Sequence, residues 1–418
     1  MTSILVVQPG ERDEANLADE RLRSRFHLVP SDPSLDDPDP SVFLDRLAAQ
    51  PSSRAADGVF GSRDRSMHLA VRAADRLGFP GPTPQAFMRC HDKLEARRWQ
   101  RRIVPEATPR FAALDPDAEV DGADPPLPFP FFLKPTTGHL SQLAFRIGDR
   151  GQFASALGRV RSEIDEVMRF DRLLEGGDYR MMLAEELLAG RQCTFEGFMK
   201  DGRLTAVGVT DSIMHANGIS FVRFEYPSTV PRELQARMAG ISERLMQGIE
   251  FDGSLFNVEF FIAADGRLSI IEVNGRMASQ FGPLVKAVHG VSTYEVQLDL
   301  VSGGAPELPP QRPDMVAGSF VLRSYAEDAI VEAVPDPRRV LDRFPHALVE
   351  LLVRPGQRLS ENDDDIASHR LALVALAAPT REGLLARFEE AKAMLVFDLR
   401  PLTGATARPA VDHHGADA

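Results

Sequence analysis

Two short stretches carry carboxylates and amides at spacings that could do chemistry: Asn257-Val258-Glu259 and Glu272-Val273-Asn274. Between them lies Asp265-Gly266, a strong signal for a two-residue hairpin turn. With that turn, Glu259 lies opposite Glu272 and Asn257 opposite Asn274. Side chains alternate faces along a strand, so the four polar groups share one face. Directly opposed carboxylates repel and destabilise a hairpin unless a cation stands between them. Carboxylate and amide oxygens are hard ligands, which predicts Mg²⁺ or Mn²⁺. Magnesium held by few protein carboxylates shares its remaining coordination with substrate phosphates. The first expectation is therefore an enzyme that handles ATP. Two strands with a wet acidic face would explain one glutamate, but explain the matched Glu/Glu and Asn/Asn pairs poorly, since asparagine is a weak strand former. Register carries the inference, because a one-residue slip sends one polar set to the other face.

A nucleotide also needs partners for its phosphates. No GxxxxGK[ST] segment occurs, and no GxGxxG follows a strand, so P-loop and dinucleotide-binding folds lose support. Individual cations must serve instead. Lys93, at the start of a predicted helix, and Lys134, at the end of the apolar strand Phe131-Phe132-Leu133-Lys134-Pro135, are the two candidates.

The elements that must position these groups follow from periodicity. Ile4 to Val7 and Gly58 to Gly61 read as short buried strands, and Arg63 to Leu77 as a helix with Met67, Ala70, Val71, Ala74 and Leu77 on one stripe. This alternation predicts an N-terminal α/β domain with a parallel sheet. Pro116 to Pro130 is an acidic, proline-rich connector. Gln152 to Arg169 and Arg232 to Ile249 read as helices, and a second hairpin is expected from Cys193–Met199 and Arg203–Val209 around Asp201-Gly202. Beyond the glycine- and proline-rich boundary at 302–313 come strand candidates at 319–323, 330–333, 347–352 and 371–378, then a helix at 381–394: a small α+β domain. Residues 403–418, with His413-His414, read as a frayed tail. The expected division is 1–105, 106–308 (a lid at about 120–190 and a metal-site portion at about 191–308), 309–402 and the tail.

The 418 residues exceed one ordinary core. Their composition, 43% hydrophobic and 26% charged, describes a soluble globular chain. A net charge of −13 argues against non-specific nucleic-acid binding. Two cysteines, Cys90 and Cys193, suggest a reducing compartment rather than a disulfide framework. The N-terminal apolar run is too short for a signal-peptide core, and no run reaches a membrane span. A cytoplasmic enzyme with small-molecule partners is expected, without nucleic acid or membrane, and with a homodimer open.

The order of lysine at a helix start, lysine at a strand end, a strand–turn segment and an acidic hairpin resembles the ATP-grasp superfamily. Within it the chain resembles carboxylate–amine ligases such as bacterial L-amino acid ligases, over about 55–310. The resemblance implies an ATP-grasp fold, with a Rossmann-like α/β domain before it and an α+β domain after it. Lys93 and Lys134 then become phosphate lysines, and the Glu185, Glu186 and Leu187 stretch the hinge that holds adenine by its backbone. Gln192 stands where the family usually has a ribose-binding glutamate, and can bond hydroxyls only without charge assistance. Glu259, Glu272 and Asn274 match the family's metal ligands. Arg276 matches an arginine that stabilises an acyl phosphate and a tetrahedral intermediate. The loop Pro135–Ser141 has one glycine where many relatives have a glycine-rich flap; Ser141 and His139 are its candidates for phosphate or substrate contact. Glu225, Ser279 and His289 are candidates for the acceptor pocket. The implied reaction joins a carboxylate to an amine, as in peptide bond formation between amino acids, through an acyl phosphate, with release of ADP and phosphate. An ATP-grasp enzyme with another acceptor and a catalytically silent nucleotide-binding scaffold are the alternatives; a biotin carboxylase role is disfavoured because no carrier segment is attached.

Overall fold

The computed structural model describes every residue except 38, 119–123, 139–141, 170, 172–177, 216–219, 326–327, 362–367 and 403–418. His139, Ser141 and the His413-His414 pair thus lie outside the described residues. The chain divides into two compact units: Met1–Val209 with Thr229–Gly282 and Thr293–Leu308, and Thr210–Ser228 with Pro283–Ser292 and the chain from Pro309 onward.

The first unit begins with β1 (Thr2–Val6), β2 (Phe26–Pro30) and β3 (Gly58–Phe60), which form a parallel sheet in the order β2-β1-β3. Parallel neighbours need crossover connections, and the intervening helices supply them. The helix Asp64–Leu77 presents Leu69, Ala70, Ala73 and Ala74 to the core shared with Leu5 and Val59. It ends at Gly78, whose φ of 73° is the left-handed conformation that favours glycine at a helix C-terminus. Two further helices follow, Pro84–His91 and Lys93–Ile103. Asp92 caps the second, accepting from the backbone N–H of Leu94 and Glu95 at 2.9 and 3.0 Å.

Next comes an antiparallel sheet of β4 (Phe111–Leu114), β5 (Phe131–Pro135), β6 (Phe145–Ile147) and β7 (Met182–Glu186), in the order β4-β7-β5-β6. The helix Arg150–Val167 covers it with Phe153, Leu157, Val160 and Ile164 against Phe131 and Leu133. β8 (Arg191–Lys200) and β9 (Arg203–Met214) flank Asp201 and Gly202, both at positive φ, as the dipeptide predicts. β11 (Ser254–Ile262) pairs antiparallel with β8 on one side and β12 (Leu268–Asn274) on the other. One face of these three strands is apolar: Phe195, Val258, Phe260, Ile270 and Val273 pack with Met238, Ile241 and Leu245 of the helix Arg232–Gly248. Alternation of period two, interrupted in β12 between Ile270 and Glu272, leaves the other face to Thr194, Glu196, Asn257, Glu259, Glu272 and Asn274.

The second unit contains β10 (Phe221–Tyr226), β13 (Val316–Ser324), β15 (Leu348–Leu351) and β16 (His369–Ala378), all paired antiparallel in the order β10-β13-β16-β15. The helix Arg381–Met394 packs Leu384 and Phe388 onto Phe320. β14 (Ala329–Ala333) and β17 (Asp398–Pro401) form a separate pair. Among the described residues, no helix is long and apolar enough to cross a membrane. Both cysteines are buried free thiols.

Candidate active site

The β11–β12 hairpin places Glu259 opposite Glu272 and Asn257 opposite Asn274. It reaches that register by a route different from the expected one. The connection is not a two-residue turn: Gly266 N–H bonds Ala263 O at 2.9 Å, and Ala263 N–H bonds Arg267 O at 2.9 Å. This longer loop would put the two strands out of the expected register by one residue. A bulge at Ile271 restores it, because Phe260 pairs with Ile270 while Glu259 pairs with Glu272. The buried Arg97 donates from Nη2 to the Ile271 carbonyl at 2.6 Å.

Around the opposed carboxylates the first unit gathers four cationic side chains. Lys93 Nζ lies 3.2 Å from Glu272 Oε1 and donates to Gly138 O at 2.9 Å. Its backbone N–H donates to Thr136 O at 2.7 Å, which ties the helix start to the end of β5 and so brings Lys93 and Lys134 to one place. Lys134 Nζ lies 2.7 Å from Glu185 Oε2, and Arg97 pairs with the other oxygen of that carboxylate. Arg276 grips Asp64 through Nε at 2.6 Å and Nη2 at 3.1 Å. Gly275, between Asn274 and Arg276, packs against Phe251, Cys90 and Phe87, where a Cβ would come within 3.0 Å of the Phe251 ring.

The electrostatics follow from these contacts. Burial pushes the Glu259 pKa up to about 7, reinforced by the charge of Glu272 and opposed by Arg276 and Lys134. Burial acts on Glu272 in the same direction, but Lys93 and Lys134 outweigh it and its pKa is lowered. Of the two carboxylates, Glu259 takes the first proton. Burial disfavours charge on Arg276, yet Asp64, Glu272 and Glu259 raise its pKa.

The donor set fits a hard divalent ion. Glu259 Oε2 accepts from Gln192 at 3.0 Å and Glu272 Oε1 faces Lys93, so each carboxylate has a second oxygen outside these contacts. Asn274 donates its amide N–H to Asn257 Oδ1 at 3.0 Å, which directs its carbonyl oxygen elsewhere. Among the described residues, no group of three or more His, Cys, Asp and Glu is placed to hold a metal. Two carboxylates and an amide instead leave coordination positions for phosphate oxygens, as Mg²⁺ prefers.

Other candidates are placed as follows. Glu185 and Glu186 end β7, with Leu187 directly after it. The Glu185 side chain is buried between Arg97 and Lys134, and Glu186 bonds Arg110. Gln192 is buried on the same sheet face as Glu259 and bonds it directly. Ser279 accepts from Arg12 at 3.1 Å. Glu225 and His289 belong to the second unit. Glu225 accepts from Arg223 at 2.6 Å and Arg381 at 2.8 Å. His289 Nδ1 donates to Pro309 O at 2.6 Å, so the neutral ring's Nε2 accepts from Tyr226 Oη at 2.6 Å; both nitrogens are engaged by the fold.

Sequence reasoning missed Asp64, Arg97 and Glu196. Asp64 is an acidic residue in a first helical turn, a position where acids are ordinary. Glu196 pairs in register with Asn257, is buried, and accepts from Ala278 N–H at 2.8 Å. Burial pushes its pKa up to about 8 against that hydrogen bond and Arg276. The hairpin pattern locates its face, but only the β8–β11 pairing places it beside the carboxylates.

The Arg97–Glu185–Lys134 cluster supports a stability prediction. Burial opposes ionisation of Glu185, but the two cations outweigh it and lower its pKa. Its contribution to stability is thus present above its unfolded pKa and lost as pH falls through the depressed folded value. Glu185→Ala would leave two buried cations uncompensated and should cost about 3–5 kcal/mol in urea unfolding. A loss below about 1 kcal/mol would mean the cluster is not a buried network.

Residues 127–283 match the family model of the ATP-grasp domain. The D-alanine–D-alanine ligase of Porphyromonas gingivalis is 24% identical over 208 residues, covering 47% of this chain and 58% of that protein. The chain thus spans less than two thirds of the length of this curated relative. The crystal structure of the L-amino acid ligase from Bacillus licheniformis matches with a TM-score of 0.74 at 15% identity, over 95% of this chain and 98% of that one. The phosphoribosylglycinamide synthetase from Anaerococcus prevotii matches with a TM-score of 0.65 at 13% identity, over 96% of this chain and 100% of that one. These structural likenesses establish the multidomain ATP-grasp fold that the sequence led us to expect.

Proposed function

We propose that the chain is an ATP-dependent carboxylate–amine ligase. The γ-phosphoryl group of ATP passes to a substrate carboxylate, the amine of a second substrate attacks the acyl phosphate, and an amide or peptide bond forms as phosphate leaves. The observation that carries this reading is the register-matched Glu259 and Glu272 pair, with Lys93, Lys134 and Arg276 gathered around it in one unit. Phosphoryl transfer asks mainly for positioning and charge neutralisation. Lys93 and Lys134 supply cationic groups for the phosphates, and the backbone at Glu185, Glu186 and Leu187 takes the adenine. Gln192, held by Glu259, reaches the ribose side as a neutral partner. Glu259, Glu272 and Asn274 would hold Mg²⁺ or Mn²⁺, which when bound neutralises phosphate charge. Arg276 meets the oxyanion that develops at the carbonyl, because a guanidinium presents a planar fork of donors. Ser279 stands two residues beyond Met277 and contributes to the acceptor side, with Glu225 and His289 as further substrate residues.

The same reading divides the chain at 105, 308 and 402, places it in the cytoplasm, and allows a homodimer. It is tested by screening phosphate release over amino-acid pairs with ATP and Mg²⁺. Release that requires one acid and one amine together supports the ligase. ATP binding without turnover under every pairing favours a silent scaffold.

Metal affinity should depend on pH with a definite sign. A ligand carboxylate must be ionised to bind the ion. The Glu259 pKa, raised to about 7, makes protons compete below that value. Calorimetric titration with Mn²⁺ should give tighter binding at pH 8 than at pH 6, levelling off above 8. Equal or tighter binding at pH 6 would contradict the assignment of Glu259.

A further inference from the structure

Arg276 is held by a residue more than two hundred positions earlier. Asp64, the first residue of the helix Asp64–Leu77, takes Nε at 2.6 Å and Nη2 at 3.1 Å, the side edge of the guanidinium. Nη1 donates to Met277 O at 3.3 Å. A guanidinium has five N–H donors, so these three contacts leave two, both on the terminal nitrogens. Paired bonds to one carboxylate also fix the guanidinium plane, which a single contact would leave free to turn. Both side chains are partly exposed, at 23% and 31%, so the pair faces an accessible space rather than the core.

We propose that Asp64 is a positioning residue for Arg276: it fixes the guanidinium so that the two remaining donors meet the charge developing on the substrate carbonyl. This inference rests on the role given to Arg276 under the proposed function. Asp64 itself touches no reacting atom. It comes from the N-terminal α/β portion, which thereby contributes a positioning group to the site in addition to Lys93.

The test is a double-substitution cycle, read with the acid–amine pair that gives the fastest phosphate release. Asp64→Asn keeps the shape but removes the charge and one acceptor. Its kcat should fall by about 10–100-fold, the range for groups that orient a functional ligand, with the KM for ATP within about twofold. The combined D64N/R276A protein should have the same kcat as R276A alone, because Asp64 acts only through Arg276. Asp64→Glu, which can still chelate the guanidinium, should recover part of the loss. Wild-type kcat in D64N overturns the inference, as does a double variant lowered by the full product of the two single losses. If R276A itself retains wild-type turnover, the role of Arg276 fails, and the inference with it. If R276A is impaired while D64N is not, the inference alone fails. A thermal melt of each variant separates misfolding from loss of positioning; should D64N not fold, the D64E protein and its R276A combination carry the same comparison.

Discussion

Glu272→Ala is expected to abolish turnover while the protein stays folded. Glu272 is one of two carboxylates that face each other across β11 and β12, and it is also the partner of Lys93. Its removal takes away a proposed metal ligand and the ion-pair partner of Lys93, the proposed phosphate lysine, together. The divalent ion contributes several kcal/mol of charge stabilisation to such reactions, and each 1.36 kcal/mol is tenfold in rate, so a loss of about 10³-fold or more follows. The fold should hold for a separate reason. The Glu272 side chain is 30% exposed and stands opposite a like charge, so its removal relieves repulsion while costing one partly solvated ion pair. Phosphate release and a thermal melt on the same preparation check both halves. Wild-type rates in this variant would refute the metal assignment.

The second large effect is expected at Arg276. Arg276→Ala should lower kcat by about 10²–10³-fold, as does loss of a donor to a developing oxyanion, and should change ATP affinity little. The distinction follows from position. Arg276 lies beyond Asn274 and is tied to Asp64 and Met277, whereas Lys93 and Lys134 lie with Gly138, Glu185 and Glu272. Steady-state kinetics with ATP varied at saturating acid and amine separate the two parameters. Equal losses in kcat and in ATP affinity would make Arg276 a nucleotide-positioning residue instead.

Much of this arrangement was legible because it is local. Alternation along 254–262 separates polar from apolar faces, whereas along 268–274 it is broken by the bulge at Ile271, which offsets the longer turn and sets Glu272 and Asn274 on the face opposite Leu268 and Ile270. Periodicity also locates the helix at 64–77, and the Asp201-Gly202 turn fixes the β8–β9 hairpin. What escaped notice depends on contacts between segments distant in sequence. Arg97 reads as one arginine in a basic helix until β12 brings the Ile271 carbonyl to it. Asp64 reads as a helix-start acid until the loop after β12 presents Arg276. Glu225 and His289 entered as acceptor-pocket candidates by resemblance, and their partners Arg381 and Pro309 come later in the chain.

Glu259 and Glu272 together are expected to hold one divalent cation beside the nucleotide phosphates. Electron paramagnetic resonance of Mn²⁺ titrated into the protein with ADP tests it most directly. One saturable bound ion per chain is expected, lost in both Glu259→Ala and Glu272→Ala proteins that still melt cooperatively. Undiminished Mn²⁺ binding in both variants would contradict the account.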